Sequence, residues 1–204
     1  MVDGTRRLLI DAATRAFADH GVYAASLVEI TRQAEQRNRG AVHYHFGGRN
    51  GLLAAVLEEH ADFLAARELE LLEIARGKPG DLASVVEAIV RPTVELAETG
   101  WRGSAYLVIV GELVEQHPDD LGEGISAALG HTGGFEVYAV LTDRLPPMDE
   151  ALRTERVSLV TAFILGAVAR RARESGRPQL STDRFVANLV QMAAAMLAAP
   201  TIDD

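Results

Sequence analysis

Residues 26–46 read SLVEITRQAEQRNRGAVHYHF, and the rest of the 204-residue chain can be placed around them. Ser26 and Glu29 form a Ser-x-x-Glu pair in which each side chain can satisfy a backbone N–H, so a short helix is expected after Ser26. Leu27, Ile30 and Ala34 recur at helical spacing as an inward face, while Glu29, Arg32 and Gln33 point to water. Four polar residues, Glu35 to Asn38, then break the pattern. Asn38 is of a type that caps a helix by accepting from its free N–H groups, so a second helix is expected from Arg39 to about Phe46. Two short helices so briefly joined must cross steeply. When the partner of such a helix-turn-helix is DNA, the second helix lies in the major groove.

The charge distribution favours DNA as that partner. Arg37 and Arg39 flank Asn38 at a helix start, where unpaired N–H groups and the positive dipole end already attract phosphate. Between Arg32 and Arg49 four arginines face one carboxylate, Glu35, a local net charge of +3 in a chain of −9. Residues 1–50 hold seven arginines against five Asp and Glu, a net of +2, which leaves −11 for residues 51–204. An acidic body on a basic foot turns the foot towards a polyanion.

From about Arg6 to Leu57 the sequence resembles the N-terminal domain of the TetR family of bacterial transcriptional regulators. The matching parts are Ala13, Phe17 and Gly21 of an opening helix, the capped segment Ser26 to Ala34, the ending Tyr44-His45-Phe46, then Gly47-Gly48-Arg49 and Leu52-Leu53. The resemblance implies an all-α fold of about nine helices. Residues 1–49 would form a three-helix helix-turn-helix DNA-binding domain continuing into the fourth helix, and residues 50–204 a helical ligand-binding and dimerisation domain. It further implies a homodimer that binds a palindromic double-stranded DNA operator and answers to a small-molecule effector, a ligand-responsive regulator acting as a repressor. The DNA-binding residues would be Arg37, Asn38, Arg39, Gly40, His43, Tyr44 and His45, with Arg49 on a phosphate. Two departures stand out. Glu35 occupies a place where glycine is usual, at a turn that often needs left-handed backbone, and the connection is one residue longer than the commonest family pattern. The alternative is a small-molecule binding protein of the same fold that has lost operator binding, for which Glu35 is the best argument.

Outward from this stretch, a first helix is expected from about Thr5 to His20, with Leu9, Ala12, Ala13, Ala16 and Phe17 on one stripe. A fourth should run from Asn50 to about Arg76 with Leu53, Val56, Leu57, His60, Phe63 and Leu64 inward. None of the seven prolines precedes Pro79. Pro79, Pro118, Pro146, Pro147, Pro178 and Pro200 fall where helices should end or begin, whereas Pro92 lies inside a helix from Asp81 to Thr99 and should kink it. Further helices are expected at Trp101 to His117, from Asp120, at Phe135 to Leu145, at Asp149 to Glu174 and at Thr182 to Ala199. The run Gly130-His131-Thr132-Gly133-Gly134 interrupts the segment from Asp120 before it resumes at Phe135, as a loop or gate beside a cavity. Trp101, Tyr106, Glu112, Phe135, Tyr138 and Phe163 are the candidate pocket residues. By the resemblance, Val160, Ile164, Ala167, Leu189, Met192 and Met196 would pair with a second subunit in a four-helix bundle.

Other functions find little support. With 48 % hydrophobic and 24 % charged residues the chain has the composition of a globular protein. It holds no cysteine, which removes disulfides, thiol catalysis and cysteine-bound zinc. The six histidines show no His-Glu-x-x-His spacing, and Gly124-Ile125-Ser126-Ala127-Ala128 lacks the closing glycine of a nucleophile elbow. No metal, cofactor or enzymatic activity is therefore expected. No basic-then-apolar leader and no run of roughly twenty apolar residues is seen, so the expected location is the cytoplasm, with no membrane partner.

Overall fold

The computed structural model describes residues 2–114, 121–132, 134–174 and 179–201. His117, Pro118, Asp120, Gly133 and Pro178, all invoked above, lie outside the described residues. Among those described, the chain folds into eleven α-helices with no strand: α1 Val2–His20, α2 Leu27–Gln33, α3 Ala41–Phe46, α4 Arg49–Glu58, α5 Ala61–Arg76, α6 Leu82–Glu98, α7 Trp101–Val114, α8 Glu123–Gly130, α9 Gly134–Arg144, α10 Glu150–Arg173 and α11 Thr182–Leu197. The expected fold class holds, with more helices than expected.

The main correction falls on the fourth helix. The predicted single rod from Asn50 to Arg76 is two helices, α4 and α5, meeting at Glu59 and His60, where His60 has φ −121° and ψ 1°. Phe63, predicted to face inward, is 40 % exposed just past that break. The apolar periodicity continues through the break, so the pattern gave no sign of it.

The foot, α1 to α4, closes over Leu9, Phe17, Ile30, Leu52, Leu53 and Leu57, all fully buried. Gly51 sets how closely α3 and α4 approach, because a Cβ there would stand 1.9 Å from the carbonyl oxygen of Phe46. In the body, α6 is the central element, packed against α5, α7, α9, α10 and α11. Its residues are buried nearly all round, including Val85, Val86, Ala88, Val90 and Val94, as expected of a helix with neighbours on every side. α6 runs through Pro92 without ending, and Asp81 caps it by accepting from the Ser84 N–H.

Foot and body meet along α1 against α7 and α4 against α8. Arg102 of α7 forms a two-pronged pair with Asp11 of α1, both contacts 2.8 Å, and this guanidinium holds the Asp11 carboxyl below its usual range. Arg7 reaches Glu59 at 2.7 Å. Glu112 of α7 accepts the Val22 N–H with both carboxylate oxygens, at 3.0 and 2.9 Å.

Candidate nucleic-acid interface and internal cavity

Ser26 caps α2 as expected, accepting from the Glu29 N–H at 3.4 Å. The reciprocal half of the capping box is absent. The Glu29 carboxylate instead accepts from Arg32, at 2.5 and 2.8 Å, and from Gln33 at 3.1 Å. α2 ends at Glu35, the sole non-glycine with positive φ among the described residues, at 56°. Around it the Glu35 N–H donates to the Arg32 carbonyl and the Gln36 N–H to the Thr31 carbonyl, at 3.0 and 3.1 Å. These two bonds form a complete Schellman closure. The position does require left-handed backbone, and glutamate adopts it.

The second helix of the pair starts later than expected. Asn38 Oδ1 accepts from the Gly40 N–H at 2.9 Å, and the Ala41 N–H donates to the Asn38 carbonyl at 3.0 Å. Asn38 therefore closes a turn ahead of the helix, and α3 begins at Ala41 with no side-chain cap. Local hydrogen bonding by asparagine favours such turns as readily as caps. Arg37 and Arg39 consequently stand on the turn rather than on the helix.

Arg37, Asn38, Arg39, Gly40, His43 and Tyr44 are all exposed on one connected surface, Tyr44 by 82 %. No side-chain hydrogen bond or ion pair among the described residues engages Arg37, Arg39 or the Tyr44 hydroxyl. His45 is half-buried, packed edge-on against the Tyr44 ring and tilted against Phe46. The other two arginines of the basic stretch are committed elsewhere. Arg32 is paired with Glu29. Arg49 turns inward and donates to the carbonyl oxygens of Val22 at 2.6 Å and Ala25 at 2.7 Å, fastening the α1–α2 loop to the start of α4. The phosphate contact implied for Arg49 gives way to this bracing role, which the sequence did not reveal because its partners are backbone atoms more than twenty residues away.

A cavity of about 270 Å³ lies within the body. Leu64 and Glu68 of α5, Val86, Ile89 and Thr93 of α6, Tyr106, Leu107 and Val110 of α7, Tyr138 and Leu141 of α9, and Val157, Val160, Thr161 and Ile164 of α10 line it, with Leu129, Thr132 and Gly134 from the glycine-rich interruption. Of the six pocket candidates, Tyr106 and Tyr138 line this cavity and four do not. Trp101 lies at the foot–body seam between the guanidinium groups of Arg15 and Arg102, 4.1 and 4.7 Å from its ring centre. Glu112 is occupied by Val22. Phe135 is 70 % exposed and packs over Gly130. Phe163 opens onto an outer groove between α10 and α11, beside Ala167, Leu189 and Met192.

Two of the residues expected at a subunit interface also face the other way. Val160 and Ile164 are buried against the cavity. Ala167 and Met192 border the outer groove, Met192 and Met196 are exposed, and Leu189 is buried while still bordering it. The apolar positions of α10 surround more than half its circumference, so periodicity could not say which part faces inward.

Sequence reasoning missed Glu68. Its residue is only 8 % exposed, and Oε2 is the one buried side-chain polar atom among the described residues that has no hydrogen-bond partner. Burial, with a smaller contribution from Glu136, pushes its carboxyl up to about 7. The signal was present: Leu64, Glu68, Leu71, Leu72 and Ala75 fall at offsets 0, 4, 7, 8 and 11, which puts an acid on an apolar stripe. Burial also raises the Tyr106 phenol. The His60 ring makes an edge-to-face contact with Tyr106, with 5.2 Å between centroids, and burial lowers the His60 imidazole.

A pair of short helices joined by a turn that bears two unpaired arginines, mounted on a helical body with a cavity, defines the class: a helix-turn-helix protein with a separate helical domain. Residues 9–56 match the family model for bacterial regulatory proteins of the tetR family, and residues 87–196 that for the tetracyclin repressor-like C-terminal domain. The second match alone covers more than half of the chain, and the protein belongs to the TetR family of bacterial transcriptional regulators. A stretch of 75 residues is 35 % identical to the HTH-type transcriptional repressor AcnR of Corynebacterium glutamicum, covering 36 % of this chain and 39 % of that protein. The chain thus spans under half the length of this relative. Among solved structures, AibR in complex with isovaleryl coenzyme A and operator DNA has a TM-score of 0.56 at 16 % identity, over 92 % of this chain and 97 % of that one. The transcriptional regulator FadR from Bacillus subtilis in complex with stearoyl-CoA has a TM-score of 0.57 at 15 % identity, over 96 % of this chain and 99 % of that one. At these identities the two structures establish the shared fold. No helix among the described residues is long and apolar enough to cross a membrane.

Proposed function

We propose that this protein is a cytoplasmic, homodimeric repressor that binds a palindromic operator and is controlled by a small molecule held in the body. The observation that carries the proposal is the set of exposed, unpaired cationic and hydrogen-bonding groups, Arg37, Arg39 and Tyr44, standing on the turn and helix of a helix-turn-helix. Phosphate contacts from arginine and tyrosine fix register on a duplex, while base edges are read by side chains of the helix in the groove, here His43 and its neighbours. The exposed apolar surface of α10 and α11, including Leu159, Met192 and Met196, supports pairing with a second copy. Two feet related by a twofold axis would then address half-sites roughly 34 Å apart or a multiple of that.

The route of control runs through α7. Tyr106 on this helix lines the cavity, and less than two turns further on Glu112 grips the backbone of the foot at Val22. An occupant that shifts α7 therefore acts on the α1–α2 loop and on the spacing of the two feet.

The test is a gel-shift titration on DNA from upstream of the protein's own gene. Arg39→Ala combined with Tyr44→Phe is expected to lower affinity while leaving the dimer intact by sedimentation. Arg37→Ala combined with Arg39→Ala is expected to flatten the slope of log K against log salt by about two. Wild-type binding retained in both double variants would overturn the recognition surface.

A further inference from the structure

Buried polar atoms in folded proteins are nearly always partnered, and an unpaired carboxyl on the wall of an apolar cavity is an exception that calls for a ligand. Resting on the proposal that the body takes an effector, the cavity also narrows what that effector is. Glu68 Oε2 meets no donor. None of the residues lining the cavity is a lysine, arginine or histidine, and apolar side chains make up most of its wall. Glu136 on α9 adds a second negative charge close enough to act on Glu68. An anionic head group placed here would meet carboxylates and no counter-charge. A cation would meet one carboxylate directly and the aromatic rings of Tyr106 and Tyr138, whose faces attract positive charge. The volume of about 270 Å³ lies just under the roughly 300 Å³ lower end of ordinary ligand pockets, so the occupant is small.

We propose that the cavity binds a small apolar amine, its ammonium group donating to Glu68 Oε2 and its hydrocarbon part filling the space between Leu64, Val86, Leu107 and Ile164. This chemistry differs from the coenzyme A thioesters present in the structural neighbours, whose phosphates need cations. With the Glu68 carboxyl raised to about 7 by burial, an arriving ammonium favours its ionised form, so binding at neutral pH expels a fraction of a proton to solvent. The other titratable groups facing Glu68 are Tyr106 from α7 and Glu136 and Tyr138 from α9. The cavity walls contributed by α6, α10 and α11 carry none.

The experiment is isothermal titration of the full-length protein with three probes sharing one skeleton: 4-phenylbutylamine, 4-phenylbutanol and 4-phenylbutanoate, each at pH 6 and pH 8. The amine is expected to bind, about tenfold more tightly at pH 8 than at pH 6 as the carboxyl ionises. The alcohol should bind at least about tenfold more weakly than the amine, a gap of roughly 1.4 kcal/mol, and the carboxylate not at all. Repeating the pH 7 titration in buffers of different ionisation enthalpy should reveal the released proton. Glu68→Gln should erase both the pH dependence and the preference for the amine. Absence of amine binding, binding of the carboxylate or alcohol as tight as that of the amine, or amine binding independent of pH in the wild-type protein would each overturn the proposal, whether or not the variant folds. The regulator reading is judged separately by gel shift. Amine binding by a protein that shifts no DNA would sink the regulator and spare the cavity, and salt-dependent DNA binding without amine binding would do the reverse.

Discussion

The foot and the body treat their unpaired polar groups in opposite ways. In the foot, Arg37 and Arg39 lie on the outside, where water serves a guanidinium until a partner displaces it. In the body, Glu68 is inside, where no protein donor among the described residues reaches its Oε2. An exposed cation costs the fold almost nothing. A buried carboxyl is destabilising in the charged form, so it responds to pH and to any ligand that brings a positive charge. Under the proposed function, the surface waits for a polyanion while the interior discriminates among small molecules.

The largest effect expected on this comparison comes from the foot's own core. Phe17 is fully buried, and Phe17→Ala should cost about 3–5 kcal/mol by leaving a void, read as a lower denaturant midpoint. If the foot unfolds independently, the loss should appear as a separate early transition while the body's transition stays in place, which would divide the two regions more sharply than their chemistry does.

Next comes the pH dependence of the body. The Glu68 carboxyl is raised in the folded state from 4.5 to about 7. Between those values the folded protein binds the extra proton, so stability falls as pH rises from about 4.5 and levels off above about 7. The integrated loss is on the order of 3 kcal/mol. Glu68→Leu should remove this falling limb in urea titrations between pH 5 and pH 8. An unchanged profile would show that the acid is served after all and would erase the contrast with the foot.

The smallest effect concerns the turn. Glu35→Gly should relieve the left-handed backbone, which costs a non-glycine residue about 1 kcal/mol, and should also take a negative charge away from the recognition surface. A rise in melting temperature together with tighter DNA binding is expected. Tighter binding without added stability would mean the charge alone matters.

The foot was legible in the sequence because its features are local. A Ser-x-x-Glu cap, an apolar stripe through Phe17 and an arginine pair around Asn38 all act over a few residues. Even there, the start of α3 was misplaced by two residues, since Asn38 closes a turn as easily as it caps a helix. The body was legible as helices but not as a site. Which side of α10 faces the cavity depends on where α6 and α7 lie, and Trp101, Glu112 and Arg49 all owe their roles to partners far along the chain. The break at His60 was hidden because leucines and alanines continue through it. Glu68 is the instructive miss: an acid on an apolar stripe could be read from spacing alone.

Val22 receives the Glu112 carboxylate on its N–H and the Arg49 guanidinium on its carbonyl. One apolar residue of a loop is thereby pinned between α7 of the body and α4 of the foot. The coupling passes through its peptide groups, so substitutions of its fully buried side chain would read only the cost of packing and overlook the joint. On the proposed route of control, changes at Glu112 or Arg49, outside both the cavity and the proposed DNA surface, would disconnect the two halves of the molecule and leave each able to bind its own partner, deaf to the other.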